Sequence, residues 1–159
     1  MFTAMEYSSN PTKKYEQLAA QLDALLTGEP NIYANLSNAS AVLNQFFERI
    51  NWVGFYLMDG DELVLGPFQG LPACIRIPLG RGVCGTVAET KEGLVVADVN
   101  AFPGHIACDA ASQSEIVVPL IKDGKVFGVL DIDSPELGRF TEDDLAGLTQ
   151  VAEVLMKHV

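Results

Sequence analysis

Residues 114–134 read SEIVVPLIKDGKVFGVLDIDS and contain two apolar runs, 115–121 and 126–133, on either side of Lys122-Asp123-Gly124-Lys125. An Asp-Gly pair between two such runs is a strong signal for a β-hairpin, because both residues tolerate the positive φ angles of a tight turn. The two runs are therefore predicted to be neighbouring antiparallel strands. Hairpin connections of this kind predict a mainly antiparallel sheet rather than a parallel one.

The chain before this hairpin predicts further short strands. Runs rich in β-forming residues cover 51–58, 62–68, 74–79 and 94–97, and Asp59-Gly60 marks a second hairpin between the first two. Between 99 and 114 the apolar periodicity is lost, which is typical of a long loop with a functional role. The sheet should therefore contain about six strands, joined by tight turns and one long loop.

Helices are predicted at both ends of the chain and in its middle. Apolar residues recur at helical spacing over 13–26 and 32–50, and a glycine-rich turn leads into a short helix near Gly82. Thr141-Glu142-Asp143-Asp144 resembles a capping box at the start of the last helix. We predict one α+β domain over 1–159, with the helices packed on one face of the sheet. Its parts are a helical segment at about 12–50, the sheet and its loops at 51–135, and a C-terminal helix at 141–157.

Composition excludes several classes of protein. The 159 residues suffice to bury a core without disulfides or metals, and 21 acidic against ten basic side chains give a net charge of −11. Such a chain lacks the clustered cations that nucleic-acid binding requires. It contains no run of about 18 apolar residues and no secretion signal at its N-terminus, so we expect a cytoplasmic protein without a membrane span.

Three cysteines, Cys74, Cys84 and Cys108, lie within one central stretch. Cytosolic thiols are kept reduced, so such a cluster is more often catalytic, redox-sensing, metal-binding or buried than permanently bridged. Cys108 lies in a polar loop with His105 and Asp109, which indicates a reactive thiol whose pKa is lowered by backbone N–H groups or a cation. Cys74 is also compatible with a small buried side chain in a strand, and His105 with an ordinary solvated loop residue.

A zinc site is a further interpretation of the same residues. Cys74, Cys84, His105 and Cys108 together make a nominal set of three cysteines and one histidine. Structural zinc sites favour ligand pairs separated by about two to four residues, a spacing that His105 and Cys108 satisfy but the other two do not. The spacing disfavours zinc, and we expect neither a metal nor a cofactor.

Carboxylates inside apolar runs form the second chemical feature. Asp131 and Asp133 are two residues apart at the end of a strand, so their side chains share one face, and Glu115 can join them across the sheet. Either they cap the strand end, or they form a receptor for an ammonium group in which crowding raises a pKa. Trp52 and Tyr56 lie four apart on one strand and either line an apolar pocket or belong to the core.

A set of segments carries a resemblance to a known family. They are 51–56 (NWVGFY), 66–70 (GPFQG), 82–86 (GVCGT), the loop from 98 to 109, 114–119 (SEIVVP), 130–134 (LDIDS) and 139–141 (RFT). Together they resemble the free methionine-(R)-sulfoxide reductase family, which is built on the GAF fold. Generic GAF domains share the Gly-Val-Leu-Asp strand but lack the three cysteines, so the combination is specific.

The resemblance implies a redox cycle. Cys108 would attack the sulfoxide sulfur of free methionine-(R)-sulfoxide, which releases methionine and leaves a sulfenic acid on Cys108. A second thiol would then form a disulfide with it, and thioredoxin would reduce that disulfide. We assign the second thiol to Cys74, with Cys84 as the alternative.

The resemblance also implies a substrate pocket. Glu115, Asp131 and Asp133 would share two tasks, binding the ammonium group and protonating the sulfoxide oxygen, and their division stays open. Backbone N–H groups around Ile106, Ala107 and Cys108 would receive the substrate carboxylate. Trp52 and Tyr56 would face its methyl and methylene groups, which completes the predicted binding set.

Two other functions stay open alongside the reductase. One is a GAF module that senses a small ligand, which has no need of three clustered thiols. The other is a thiol-based oxidant sensor, which has no need of an acidic amino-acid pocket. The N-terminal helix serves either packing or a homodimer contact.

Overall fold

A six-stranded antiparallel sheet forms the centre of the structure, a computed structural model in which residues 2–105 and 108–159 are described. Its strands are β1 (Trp52–Asp59), β2 (Glu62–Gly70), β3 (Arg76–Pro78), β4 (Leu94–Val96), β5 (Ser114–Lys122) and β6 (Lys125–Ser134). Across the sheet they follow the order β3-β2-β1-β6-β5-β4, and neighbouring strands are antiparallel. The predicted antiparallel sheet and the hairpins at Asp59-Gly60 and Asp123-Gly124 are confirmed.

Four α-helices and one short 3-10 helix accompany the sheet in the described residues. They are α1 (Pro11–Leu26), α2 (Ile32–Phe46), α3 (Gly82–Thr90), α4 (Glu142–Met156) and the 3-10 turn Val99–Ala101. Asn10 and Asn31 cap the first two helices by accepting hydrogen bonds from backbone N–H groups three residues on. Thr141 and Asp144 form the predicted capping box of α4. None of the helices in this part of the chain is long and apolar enough to cross a bilayer.

The second helix ends earlier than the periodicity predicts. The apolar spacing continues to Ile50, but α2 ends at Phe46, and Phe47 already has extended backbone angles. Phe47 remains buried in the main core beyond the helix end, and Ile50 packs against the same core. The apolar pattern therefore continues although the backbone is no longer helical, which is why the prediction of a helix to residue 50 was wrong.

The sheet buries both of its faces, each in a separate core. Val53 and Phe55 of β1 point to the face covered by α1, α2 and α4. Trp52 and Tyr56 of the same strand point to the opposite face, because side chains alternate along a strand, and there they pack with α3. The prediction of helices on one face was wrong, since α3 covers the second face.

The N-terminal helix is held against the last helix by a buried polar contact. Tyr15 of α1 is 2% exposed, and its hydroxyl donates a hydrogen bond to Oδ1 of Asp144 at 2.6 Å. Burial raises the pKa of Tyr15, so the hydroxyl keeps its proton and remains a donor. Gly147 of α4 leaves the space that the Tyr15 ring occupies, because a Cβ at this position would overlap the ring. The N-terminal helix therefore has a packing role.

Gly147→Ala should destabilise the protein by about 1–3 kcal/mol, since the ring of Tyr15 would have to leave its position in the core. Unfolding in urea, followed by circular dichroism, measures the change. Glu153→Ala, at an exposed position of the same helix, is the control and should change stability by less than about 0.5 kcal/mol. Helix propensity alone favours alanine over glycine by about 1 kcal/mol, so a more stable Gly147→Ala protein would contradict the packing argument.

Candidate active site

Strand register brings three carboxyl groups together on the face of the sheet that α3 covers. Glu115 of β5 lies opposite Asp133 of β6, and Asp133 lies opposite Trp52 of β1. Asp131, two residues before Asp133, points to the same face and is paired with Gly54 of β1. The structure thus places Glu115, Asp131 and Asp133 side by side, as the spacing in the sequence predicts.

Burial raises the pKa values of these carboxyl groups and so makes them weaker acids than carboxyl groups in water. Glu115 and Asp131 are 7% and 5% exposed. Burial raises the pKa of Asp131, and the charge of Asp133 adds to the effect, from an ordinary 3.8 to about 8. Burial also raises the pKa of Glu115 and of Asp133 well above their usual range, with further contributions from Asp131 and Glu115 respectively. The cluster therefore retains protons at neutral pH and can donate one.

Cys84 adds a thiol to this cluster. It lies in the first turn of α3, is buried, and places its Sγ 4.0 Å from Oε2 of Glu115. A Cβ at Gly85 would overlap the carbonyl oxygen of Pro78, so this glycine allows α3 to approach β3 closely. Burial and the charge of Asp131 raise the pKa of Cys84, which keeps the thiol neutral. Donor atoms of Cys84, Glu115 and Asp131 all lie within 4.8 Å of one another, close enough to hold a metal ion.

The other two cysteines are joined in a disulfide. Cys74 and Cys108 have Cα atoms 5.4 Å apart, within the usual range for such a bridge, although 34 positions separate them in sequence. Cys74 precedes β3, which begins only at Arg76, so the prediction of a strand from residue 74 was wrong. Both cysteines are half-buried, and their disulfide lies at the edge of the site.

Tyr56 of β1 and Asn51, the residue just before β1, hold the two cysteine-bearing loops by hydrogen bonds. The Tyr56 hydroxyl donates a hydrogen bond to the carbonyl oxygen of Cys74 at 2.9 Å. Burial, with a contribution from Asp131, raises the pKa of Tyr56 and keeps this donor protonated. Asn51 donates through Nδ2 to Oδ2 of Asp109 and to Oγ of Ser112, each at 3.0 Å, and so holds the segment after Cys108. These hydrogen bonds connect residues far apart in sequence, so the sequence did not predict that Tyr56 and Asn51 hold the two loops.

These groups line a single cavity of about 50 Å³. Its walls include both sequence-predicted aromatic residues, Trp52 and Tyr56, whose rings stack with centroids 5.8 Å apart. His105, Cys84, Cys108 and the three carboxyl groups also line it, whereas Cys74 reaches it through the disulfide. Ile106 and Ala107, predicted to bind the substrate carboxylate, lie outside the described residues.

Sequence reasoning missed several residues that line the cavity. The unpredicted residues are Leu71, Pro72, Ala73, Ile77, Arg81, Gly82, Val83, Asp109 and Ser112. Arg81 adds a cation to an otherwise acidic site, and its position directly before the turn that carries Cys84 was the signal available for it. The segment around Leu71 is held against the aromatic wall, because Nε1 of Trp52 donates to the carbonyl oxygen of Leu71 at 3.2 Å. The cavity can therefore offer proton donors, thiols and both signs of charge to a small polar molecule.

Known proteins share this fold and much of this sequence. Residues 35–159 match the GAF domain family. The chain is 52% identical over 148 residues to the free methionine-R-sulfoxide reductase of Escherichia coli K12, covering 93% of this chain and 90% of the relative. It is 46% identical over 163 residues to the enzyme of the same name from Saccharomyces cerevisiae, with 96% and 91% covered.

A solved structure extends the likeness to the backbone. The X-ray structure of free methionine-R-sulfoxide reductase from Neisseria meningitidis, in complex with its substrate, matches with a TM-score of 0.93 and 46% sequence identity. The match covers 99% of this chain and 95% of the other. The resemblance predicted from the sequence is confirmed, and the chain belongs to the GAF domain family and, within it, to the free methionine-R-sulfoxide reductases.

Proposed function

We propose that this protein reduces free methionine-(R)-sulfoxide to methionine, as the names of its relatives state for them. The observation that carries the proposal is the arrangement of one cavity: a cysteine that forms a disulfide, Cys108, borders the same space as the buried carboxyl groups of Glu115 and Asp131 and the half-buried one of Asp133. A thiol supplies electrons to a sulfoxide, and a protonated carboxyl group supplies the proton that its oxygen needs. Both reactants are therefore available in one small space.

The first step transfers oxygen from the substrate to Cys108. The thiolate attacks the substrate sulfur while a carboxyl group of the cluster protonates the sulfoxide oxygen, which weakens the S–O bond. The substrate sulfur is reduced by two electrons and the Cys108 sulfur is oxidised by two, which yields methionine and a sulfenic acid. Asp131, with a pKa of about 8, holds the required proton at neutral pH.

The second step forms a disulfide. The thiol of Cys74 attacks the sulfenic acid on Cys108, and the oxygen leaves as water. The Cα separation of 5.4 Å between these two cysteines favours Cys74 as the resolving thiol. Cys84 is the weaker candidate, because its buried thiol has a raised pKa and so forms little thiolate at neutral pH. A dithiol of the thioredoxin type then reduces the disulfide by thiol exchange.

Binding of the free amino acid uses charge at both ends of the substrate. An ionised member of the carboxyl cluster receives the ammonium group, while Trp52 and Tyr56 contact the methyl and methylene groups. Backbone N–H groups near Cys108 receive the carboxylate, and Arg81, which lines the same cavity, adds a cation for it. A peptide-bound methionine sulfoxide lacks both charges, so the pocket selects the free amino acid.

We propose that residues 1–159 act as one domain and that the protein works in the cytoplasm, where thioredoxin-type reductants keep thiols reduced. A homodimer is a second proposal, and it does not depend on the catalytic cycle. The acidic cavity favours the reductase over a simple oxidant sensor, which needs no site for an ammonium group.

Turnover with defined sulfoxides tests the function directly. In the presence of thioredoxin, its reductase and NADPH, we expect NADPH loss with free methionine-(R)-sulfoxide and little with the S epimer or a peptide-bound sulfoxide. The preference for the free form should reach several orders of magnitude, about 10⁴-fold, because a site built for a charged group leaves its own charges unpaired with the wrong substrate. Equal rates with all three substrates would contradict the proposal.

Cysteine substitutions separate the two thiol roles. Cys108→Ser should release no methionine even in a single turnover, because the nucleophile is gone. Cys74→Ser should release about one methionine per chain and then stall, since the sulfenic acid has no resolving partner. Quantifying methionine after mixing reduced protein with excess sulfoxide measures both, and Cys84→Ser, which should cycle normally, is the matched control. If Cys74→Ser cycles with thioredoxin and Cys84→Ser stalls, Cys84 is the resolving thiol.

The pH profile of methionine release should be bell-shaped. A carboxyl group can donate only while protonated, so the rate should fall as pH rises through about 8, the pKa of Asp131. At lower pH the rate should fall as Cys108 loses its thiolate form. Because the carboxyl groups interact, the alkaline limb reports the cluster as a unit. Single-turnover rates of the wild type and of Asp131→Asn test this: the alkaline limb should shift or vanish in the variant. A wild-type rate that keeps rising above pH 8 would rule out the carboxyl cluster as the proton donor.

A further inference from the structure

One thiol of the cavity stays free when Cys74 and Cys108 are joined. The chain has three cysteines, so in the oxidised protein Cys84 is the remaining thiol. Its Sγ and carboxylate oxygens of Glu115 and Asp131 form a compact group of buried donors. We propose that this group is a binding site for a thiophilic divalent cation such as Zn²⁺ or Cd²⁺. The site would exist in the oxidised protein and would not depend on the reductase activity.

The donor spacing is close to what such an ion needs. Zinc binds sulfur at about 2.3 Å and carboxylate oxygen at about 2.1 Å, so a tetrahedral ion separates the two donors by about 3.6 Å. Sγ of Cys84 and Oε2 of Glu115 are 4.0 Å apart, and the three donors lie within 4.8 Å of one another. Small side-chain rotations would close the remaining difference. Three protein ligands plus one water is a common arrangement for zinc, and the cavity of about 50 Å³ has room for that water.

An unsatisfied atom points to a ligand independently of the spacing. Oδ1 of Asp131 is buried and has no hydrogen-bond partner among the described residues, although the side chain is only 5% exposed. A buried acceptor without a partner is destabilising, and more so when it is charged. Asp131 lines the cavity, so a cation placed there would satisfy this atom. Binding would release the protons that these groups hold at neutral pH. The resulting thiolate and two carboxylates carry three negative charges, more than the two positive charges of a divalent ion, and a thiolate among the ligands favours a borderline-soft one.

Such a cation would compete with any ammonium group that enters the cavity. Both would bind in the cavity that the three carboxyl groups line, so only one can occupy the site at a time. The metal would therefore act as an inhibitor of whatever cationic ligand the cavity accepts. The proposal itself concerns metal binding, so it can succeed or fail separately from the proposed function.

Cadmium titration of the oxidised protein tests the site, because Cd²⁺ bound to a thiolate gives a charge-transfer absorption in the ultraviolet. With Cys74 and Cys108 bridged, we expect one Cd²⁺ per chain by calorimetry and an absorption that only Cys84 can supply. Cys84→Ser should abolish the absorption. Asp131→Asn should weaken binding at least about tenfold, since losing even an outer partner of a ligand costs that much.

Asp133→Asn is the matched control for charge. It removes the same kind of ionisable group from the same cavity, but Asp133 is not among the three donors within 4.8 Å. We expect its affinity for Cd²⁺ to fall much less than that of Asp131→Asn. Circular dichroism establishes that each variant is folded. A count of one reactive thiol after unfolding establishes that the aspartate variants are oxidised, and a count of none does so for Cys84→Ser. Absence of the charge-transfer band in the wild type would overturn the proposal, as would equal losses in the two aspartate variants.

Discussion

The antiparallel register of β1, β6 and β5 is the constraint on which the site depends. It sets Trp52, Asp133 and Glu115 in one row across three strands, and it places Asp131 on the same face. Hydrogen bonds along the whole length of β5 and β6 hold this register, and a shift by one residue would turn every one of these side chains to the opposite face. The acidic cluster is therefore a property of the hydrogen-bonded strands rather than of a loop.

Covering that face with α3 determines the chemistry of the cluster. Were the face open to water, the three carboxyl groups would ionise at ordinary acidity and would be poor proton donors at neutral pH. The short helix, which approaches β3 closely because of Gly85, buries them and supplies Cys84 beside them. Burial then raises the pKa of each group, and mutual repulsion adds to it. The same features that raise these pKa values also leave Oδ1 of Asp131 without a hydrogen-bond partner among the described residues, so the raised pKa values and the proposed metal binding have one origin.

Much of this arrangement could be predicted from the sequence, since it follows from local rules. Two Asp-Gly pairs predicted the hairpins, and the two-residue spacing of Asp131 and Asp133 predicted their common face. The predictions that were wrong concern features set by tertiary structure. The periodicity of α3 shows which of its sides is apolar but not which face of the sheet it covers, and Phe47 stays buried after α2 has ended. Asn51 was missed because its partners are distant in sequence: it bonds to Asp109, 58 positions away.

The two cysteine loops approach each other because both are attached to the same strand region. The Tyr56 hydroxyl binds the backbone of Cys74, and Asn51, immediately before β1, binds the side chains of Asp109 and Ser112 after Cys108. These anchors hold two segments that are 34 positions apart in sequence at a distance where their sulfurs can bond. Each anchor acts at one side of its cysteine and leaves the sulfur itself free to change partners. The proposed thiol cycle requires the disulfide to open and close beside carboxyl groups that keep their position, and the separation of the loop anchors from the sheet carboxyl groups is consistent with that requirement.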